Sequence, residues 1–272
     1  MSMELGFDSW KEDNKSILES LAGRRNLLLF SGGKDSSLAL HLILKAGMEF
    51  GFDFEVHAAM FPVHRYVDEE IKRLESYWNK RSIKITWHDV GVTDDAIKND
   101  PDPCIACRAI RKKMLKTGLT TDMVGEWDRF TIIASYSLWD IVSYSIEHLL
   151  NDIYSSDKDI LADDKKNRFF ETAQRFYPLL KMNEGYSVFR PLIKLNDSDI
   201  RKMLDQEGIP TLSVPCKFSN LRPKRLLENY YKTLGLSFDY DQLLEFAKKS
   251  LNLPDLSSYA SINKAEYLQN IF

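Results

Sequence analysis

The segment between residues 27 and 44 constrains this chain more than any other. An apolar run, Leu27 to Phe30, leads into Ser-Gly-Gly-Lys-Asp-Ser-Ser at 31–37, and a mostly apolar run, 38–44, follows. This pattern predicts a strand, a tight glycine turn and a helix N-terminus, which together favour a bound anion. The spacing is neither G-x-x-x-x-G-K-[ST] nor G-x-G-x-x-G. We therefore predict a phosphate site formed by Ser31, Gly32, Gly33, Lys34, Asp35, Ser36 and Ser37.

Strand-like and helix-like segments alternate along the central part of the chain. The alternation predicts βαβ units and a Rossmann-like, doubly wound α/β fold with a mostly parallel, five-stranded sheet. Ligands of such sheets bind beyond the carboxyl ends of the strands, where the glycine turn would lie. The predicted strands are 26–30, 54–60, 82–87, 131–135 and 186–190. We predict an N-terminal helical segment (1–22), an α/β domain (23–220) that carries the glycine turn and has an insertion near 155–170, and a C-terminal helical extension (221–272).

Composition excludes several classes of protein. The chain has 272 residues, of which 44% are hydrophobic, so it can bury a sizeable core. No apolar run approaches the ~18 residues of a membrane span, and the first 15 residues contain no signal-peptide core, so we expect a cytoplasmic protein without membrane contact. A net charge of −3 is not typical of a general nucleic-acid binder, so any RNA contact would depend on local basic patches.

Three cysteines have a spacing that suggests metal or redox chemistry. Cys104 and Cys107 form a C-x-x-C in a predicted helix, which places both thiols on one face, and Cys216 follows much later. A structural zinc site would need a fourth ligand, such as His88. An iron–sulfur cluster normally has four cysteine ligands, so three thiols would leave one of its irons without a protein ligand. Persulfide and disulfide chemistry is the third alternative.

Four motifs in order resemble a known family. They are S-G-G-K-D-S (31–36), C-I-A-C-R (104–108), F-R-P-L-I (189–193) and P-C-K-F-S-N (215–220). The chain thereby resembles the PP-loop superfamily of N-type ATP pyrophosphatases, in particular its tRNA 2-thiolation branch, the 2-thiocytidine and 2-thiouridine synthetases. The resemblance implies an adenine nucleotide alpha hydrolase type of fold. It also implies an ATP-dependent sulfurtransferase that adenylates a carbonyl oxygen of a tRNA base, releases pyrophosphate and replaces the oxygen with sulfur.

The same resemblance assigns roles to residues. Cys104, Cys107 and Cys216 would hold a 4Fe-4S cluster, Lys34 and the loop backbone would hold pyrophosphate, and Asp35 would position magnesium or the loop. Met60 and Ser135 would contact ATP, and Asp140 would join Lys34, Asp35 and the cysteines as a catalytic residue. One motif departs from the family: relatives carry Gly-His-Asn-x-Asp-Asp where this chain has Ser-Tyr-Ser-Leu-Trp-Asp at 135–140. The zinc-ribbon cysteines of the 2-thiouridine enzymes are also absent from the sequence.

Basic residues follow the cysteines and suggest a contact with tRNA phosphates. Lysine and arginine on helix faces also serve solubility, and the same charges would suit ATP or hydrosulfide. A sulfide or persulfide donor and a homodimer formed through the helical tail complete the expected partners. The alternatives are adenylation of a small molecule and a non-enzymatic nucleotide- or metal-binding subunit. The candidate RNA-binding residues are Arg108, Arg111, Lys112, Lys113, Lys217, Arg222, Lys224 and Arg225.

Overall fold

The structure, a computed structural model, describes residues 6–60, 67–89, 91–92, 94–101, 103–124, 127–154, 169–212, 216, 218 and 223–268. Residues 155–168, which carry most of the predicted insertion, lie outside this set. The strands are β1 (Arg25–Phe30), β2 (Glu55–Met60), β3 (Ile85–Asp89), β4 (Phe130–Ile133), β5 (Leu179–Lys181) and β6 (Ser187–Phe189). The helices are α1 (Phe7–Glu19), α2 (Lys34–Phe50), α3 (Asp68–Asn79), α4 (Asp94–Lys98), α5 (Pro103–Thr117), α6 (Leu138–Tyr154), α7 (Asp197–Glu207), α8 (Pro223–Thr233), α9 (Tyr240–Ser250), α10 (Ser257–Ala260) and α11 (Lys264–Glu266).

The strands form one six-stranded sheet in the order β3-β2-β1-β4-β6-β5. All neighbouring pairs are parallel except β5 and β6. The predicted class, a doubly wound and mostly parallel α/β fold, is confirmed. The predicted number of five strands is wrong, because β5 adds an antiparallel edge. This strand has only three residues, too few to show an alternating pattern in the sequence.

Two layers of side chains cover the two faces of the sheet. The first core contains Trp10 of α1, the apolar side of α2 and Leu74 of α3. The second contains Leu138 of α6 and the C-terminal tyrosines Tyr240, Tyr259 and Tyr267. Both ends of the chain therefore pack onto the α/β core, and the proposed division into three parts stays a prediction. No helix within the described ranges is both long and apolar enough to cross a membrane.

Parallel strands bring their carboxyl ends to one edge of the sheet, which positions the candidate site. The glycine turn follows β1, residues 134–137 follow β4, and Arg190 follows β6. These three segments are neighbours because β1, β4 and β6 are adjacent in the sheet. The sequence predicted the first segment as a phosphate loop and the second as the place where the chain departs from its relatives.

Candidate functional site

The glycine turn has the backbone geometry of an anion-binding loop. Gly32 has a φ of 70°, a conformation that disfavours any residue with a Cβ atom. Gly33 is the N-cap of α2, and no side chain caps this helix. The N–H groups in the first turn of a 17-residue helix therefore point into the loop, where an anion can accept their hydrogen bonds.

Serine hydroxyls hold the loop in this shape. Ser31 N–H donates to Ser36 Oγ at 3.2 Å, and the Ser36 hydroxyl donates to the carbonyl of Gly33 at 3.1 Å. The Ser31 and Ser36 hydroxyl oxygens are 3.0 Å apart. Ser36 and Ser37 are buried at 3% and 0% exposure. These serines therefore stabilise the loop from inside, while its backbone faces the ligand side.

Lys34 forms an ion-pair cluster with two carboxylates. Its Nζ is 2.5 Å from Asp35 Oδ1 and 2.8 Å from Asp197 Oδ1. Asp197 begins α7 and also accepts from Arg201 Nε at 2.6 Å. Burial alone lowers the pKa of Lys34, but the two carboxylates raise it above its ordinary value. Burial likewise raises the pKa of Asp197, and Lys34 and Arg201 outweigh this and hold it low. Lys34 and Asp197 are thus both charged at neutral pH.

Asp197 is the site residue that sequence reasoning missed. It was assigned no role from the sequence, and in the structure it is the first residue of α7, directly after the N-cap Asn196. Its side chain is 8% exposed and meets the loop lysine from another element of the fold. A buried acidic residue in the first turn after the Arg-Pro-Leu-Ile motif was the available signal, but the sequence does not give its distance from Lys34.

The other predicted nucleotide contacts lie at the same edge of the sheet. Met60 is the last residue of β2, and Ser135 follows β4 and is partly buried. Asp140 is buried, and its Oδ2 accepts from the N–H and hydroxyl of Ser137 at 2.9 and 3.0 Å. These bonds cap the first turn of α6. They show a structural role for Asp140, and its catalytic role stays a prediction.

Two described residues on either side of Cys216, Leu212 and Phe218, contact the glycine loop and Cys104, respectively. Leu212 N–H donates to the carbonyl of Gly32 at 2.7 Å. The Cys104 thiol donates to the carbonyl of Phe218 at 3.6 Å. A Cβ atom at Gly32 would lie 2.3 Å from Leu212 Cδ1, so Leu212 packs tightly on the loop. The structure thus brings the first cysteine pair, the third cysteine segment and the phosphate loop to one region.

Two of the three cysteines belong to one helix, and the third belongs to a separate segment. Cys104 and Cys107 lie in the first turns of α5, three residues apart, and Cys107 is 8% exposed. None of the three cysteines forms a disulfide. Among the described residues, no three histidine, cysteine or acidic side chains are arranged as a metal site. His88, the alternative fourth zinc ligand, stacks on His57 with its Nε2 2.8 Å from His57 Nδ1.

The thiols nevertheless match the chemistry of an iron–sulfur site. Thiolates are the usual protein ligands of such clusters, and three are present in two segments that touch. The N-terminus of α5 also favours negative charge where Cys104 lies. The ligand set itself stays a prediction, because residues 213–215, 217 and 219–222 around Cys216 lie outside the described residues.

The predicted RNA-binding residues fall into two groups. On α5, Lys112 and Lys113 are exposed, Lys112 pairs with Glu171 at 3.2 Å, and Arg111 is partly buried. Nothing is described of the side chain of Arg108, nor of those of Lys217, Arg222, Lys224 and Arg225. Their contact with RNA stays a prediction.

Comparison with known proteins gives a structural likeness. No family model matches the sequence, and no curated protein matches it. Among solved structures, the chain is similar to the U34-tRNA thiolase NcsA from Methanococcus maripaludis with its 4Fe-4S cluster, with a TM-score of 0.60 and 16% identity over 95% of this chain and 85% of that chain. More distant likenesses are NMN synthetase from Francisella tularensis (TM-score 0.45, 11% identity, 98% and 94% covered) and NH3-dependent NAD synthetase from Campylobacter jejuni (0.44, 13%, 98% and 93%). At 16% identity the likeness concerns the fold, and the chain has the fold of this tRNA thiolase, as its resemblance to the PP-loop superfamily implied.

Proposed function

We propose that the chain is an ATP-dependent sulfurtransferase that forms AMP and pyrophosphate and thiolates a tRNA base. One observation supports this most: the segment 212–218, which contains Cys216, contacts the glycine loop at Gly32 and the C-x-x-C helix at Cys104. ATP activation and thiol chemistry would then take place side by side. The named tRNA thiolase with the same fold supports the choice of substrate.

The reaction requires each part of this site. The base oxygen attacks the α-phosphorus of ATP and pyrophosphate leaves, held by the loop N–H groups and Lys34. A sulfide equivalent then attacks the carbon, and AMP leaves with the oxygen. Adenylate is a far better leaving group than oxide, which explains the need for ATP. Asp35 and Asp197, which both contact Lys34, would provide carboxylates for a magnesium ion that accompanies the phosphates.

The three cysteines would hold the sulfur-handling group. When bound, a 4Fe-4S cluster with three cysteine ligands would supply one iron that can take an exogenous sulfide. Cys104 and Cys107 share one helix face, and Cys216 lies two residues before Phe218, whose carbonyl accepts from the Cys104 thiol. The thiols of this chain would orient the group and exclude other ligands from its remaining irons.

The test combines product analysis with a matched lysine control. Anaerobically purified protein is incubated with ATP, magnesium, sulfide and unmodified tRNA, and AMP, pyrophosphate and thiolated nucleosides are measured by mass spectrometry. Lys34→Ala should abolish all three products, because the phosphates lose their only loop cation. Lys45→Ala changes the same helix, where Lys45 pairs at 3.6 Å with Glu207, and should leave them unchanged. Equal activity of both variants would remove the loop from the mechanism.

Iron and acid-labile sulfide are measured on the same preparations. About four irons per chain, lost on Cys104→Ser, Cys107→Ser or Cys216→Ser, would support the cluster. Zinc or no metal, with AMP formed independently of tRNA, would instead support adenylation of a small molecule with persulfide chemistry at the C-x-x-C.

A further inference from the structure

Two arginines meet two tyrosines next to the candidate site. The Arg175 guanidinium carbon is 5.2 Å from the ring centroid of Tyr136 and 5.0 Å from that of Tyr144. Arg190 lies 6.0 Å from the Tyr136 ring, and the two tyrosine rings are 6.5 Å apart. We name these four residues the Arg–Tyr cluster.

The positive charge of this cluster lacks a carboxylate partner within the described residues. Arg190 is 1% exposed and donates to the carbonyl of Tyr177 at 2.9 Å and to Gln174 Oε1. Its Nε, also buried, has no hydrogen-bond partner. Burial lowers the pKa of Arg190, as expected for a cation removed from water without a counter-charge. Buried arginines are normally paired with an acidic group, whereas the neighbours that the structure describes for Arg190 are a carbonyl, an amide and an aromatic ring.

The cluster lies where a substrate would reach the site. Tyr136 follows β4 and Arg190 follows β6, so both belong to the carboxyl edge of the sheet that carries the phosphate loop. Arg111 of α5 is close enough to Tyr144 to lower the pKa of its phenol, although burial, the larger effect, raises it. Since Arg111 follows Cys104 by two helical turns, the cluster and the cysteines border the same side of α5.

We propose that Arg175, with the rings of Tyr136 and Tyr144, binds a phosphodiester of the RNA substrate beside the cysteines. A planar guanidinium can donate two parallel hydrogen bonds to the oxygens of one phosphate, and contact with the two tyrosine rings restricts the orientation of the Arg175 guanidinium. Arg190, fixed by Gln174 and Tyr177, supplies a second charge beneath Tyr136. Of these four residues, Tyr136 lies in the segment 135–140, where the sequence departs from the His-Asn motif of the relatives. This inference rests on the proposed function and names the residues that receive its substrate.

Binding of unmodified tRNA, measured by fluorescence anisotropy at several salt concentrations, tests the inference. Arg175→Gln should weaken binding about tenfold and reduce the slope of log K against log salt by about one. The matched control is Arg81→Gln: Arg81 lies 3.7 Å from the Tyr77 ring in a similar cation–π pair, but it precedes β3 at the opposite edge of the sheet. This control should bind tRNA as the wild type does. Unchanged affinity and slope in Arg175→Gln would overturn the inference.

Two further measurements keep the test decisive if Arg175→Gln folds poorly. Arg175→Lys retains the charge and should retain the wild-type salt slope. In the wild-type protein, tRNA should protect Arg175, but not Arg81, from phenylglyoxal, as read by mass spectrometry. Protection by ATP instead of tRNA would assign the site to the nucleotide and refute the RNA contact. Lys34→Ala should lose AMP formation and keep tRNA binding, so failure of the proposed function and failure of this inference give different results.

Discussion

Replacing Asp197 by Asn removes one charge from the ion-pair cluster and keeps the shape of the side chain. Lys34 then loses the partner at 2.8 Å and retains Asp35, and Arg201 loses its partner at 2.6 Å. The Asp197 and Lys34 side chains are 8% and 20% exposed, so solvent screens their attraction weakly. Hydrogen bonds between charged groups contribute about 1.5–3 kcal/mol each, and breaking a buried pair costs more than an exposed one. We expect Asp197→Asn to lower the free energy of unfolding by about 2–3 kcal/mol, or about 30- to 150-fold in the folded-to-unfolded ratio.

The pH dependence follows from the directions of the two pKa shifts. The pKa of Asp197 is held below its ordinary value of 3.8, so its contribution is present above that pH and is lost as the pH falls through the folded-state pKa. The pKa of Lys34 is raised above 10.5, so its contribution is present below that pH and is lost as the pH rises through the folded-state pKa. The stability difference between wild type and Asp197→Asn should therefore be constant from about pH 5 to 9 and shrink below about pH 4.

Urea denaturation at pH 7.5 and pH 3.5 measures both effects. The matched control is Arg201→Gln, which removes the other partner of Asp197, an arginine that is 52% exposed. Because exposed pairs contribute little, this control should cost less than about 1 kcal/mol. A double-mutant cycle with Lys34→Met isolates the Lys34–Asp197 coupling. Equal losses in Asp197→Asn and Arg201→Gln, or a loss that does not shrink at low pH, would refute the reasoning.

Two further substitutions test the geometry of the loop and of the sheet by urea denaturation. Gly32→Ala should lower the free energy of unfolding by about 1–3 kcal/mol, because a Cβ is strained at a φ of 70° and would lie 2.3 Å from Leu212 Cδ1. Adding Leu212→Ala should recover only the part of this loss that comes from the steric clash. An unchanged stability of Gly32→Ala would contradict the left-handed conformation. Arg24→Met should lower the free energy of unfolding by about 2–4 kcal/mol, because the carbonyls of Phe130 and Gly185, which accept from the Arg24 guanidinium at 2.8 and 2.5 Å, lose this donor. A loss below about 0.5 kcal/mol would show that water replaces the arginine.

The sequence predicted best those parts of the candidate site whose structure depends on a few consecutive residues. Ser-Gly-Gly-Lys-Asp-Ser predicted the end of β1, the turn and the start of α2, because glycine geometry and helix capping act over a few residues. The C-x-x-C was predicted to lie in a helix with both thiols on one face, and Cys104 and Cys107 do lie three residues apart in the first turns of α5. These features depend on neighbours in the chain, so a single sequence was sufficient to find them.

The parts that were missed depend on contacts between distant segments. Asp197 was not recognised as the partner of Lys34, because charge and burial at one position do not specify a partner elsewhere. Arg190 was noticed only as part of the F-R-P-L-I motif and Arg175 gave no signal, since their relation to Tyr136 exists only in the folded chain. Strand β5 was missed because pairing with β6, rather than a pattern of its own, makes it a strand.

The charges in the site place a condition on how ATP would bind. Lys34 and Arg201 balance Asp35 and Asp197, so these four side chains together carry no net charge, and the positive end of the α2 dipole is what this part of the site offers to a triphosphate. A phosphate that takes Lys34 must displace Asp197, whose released carboxylate would then repel it. Magnesium would resolve this conflict, because it binds phosphate oxygens together with one or two carboxylates. We therefore expect the proposed nucleotide site to bind ATP as its magnesium complex and to disfavour the bare nucleotide.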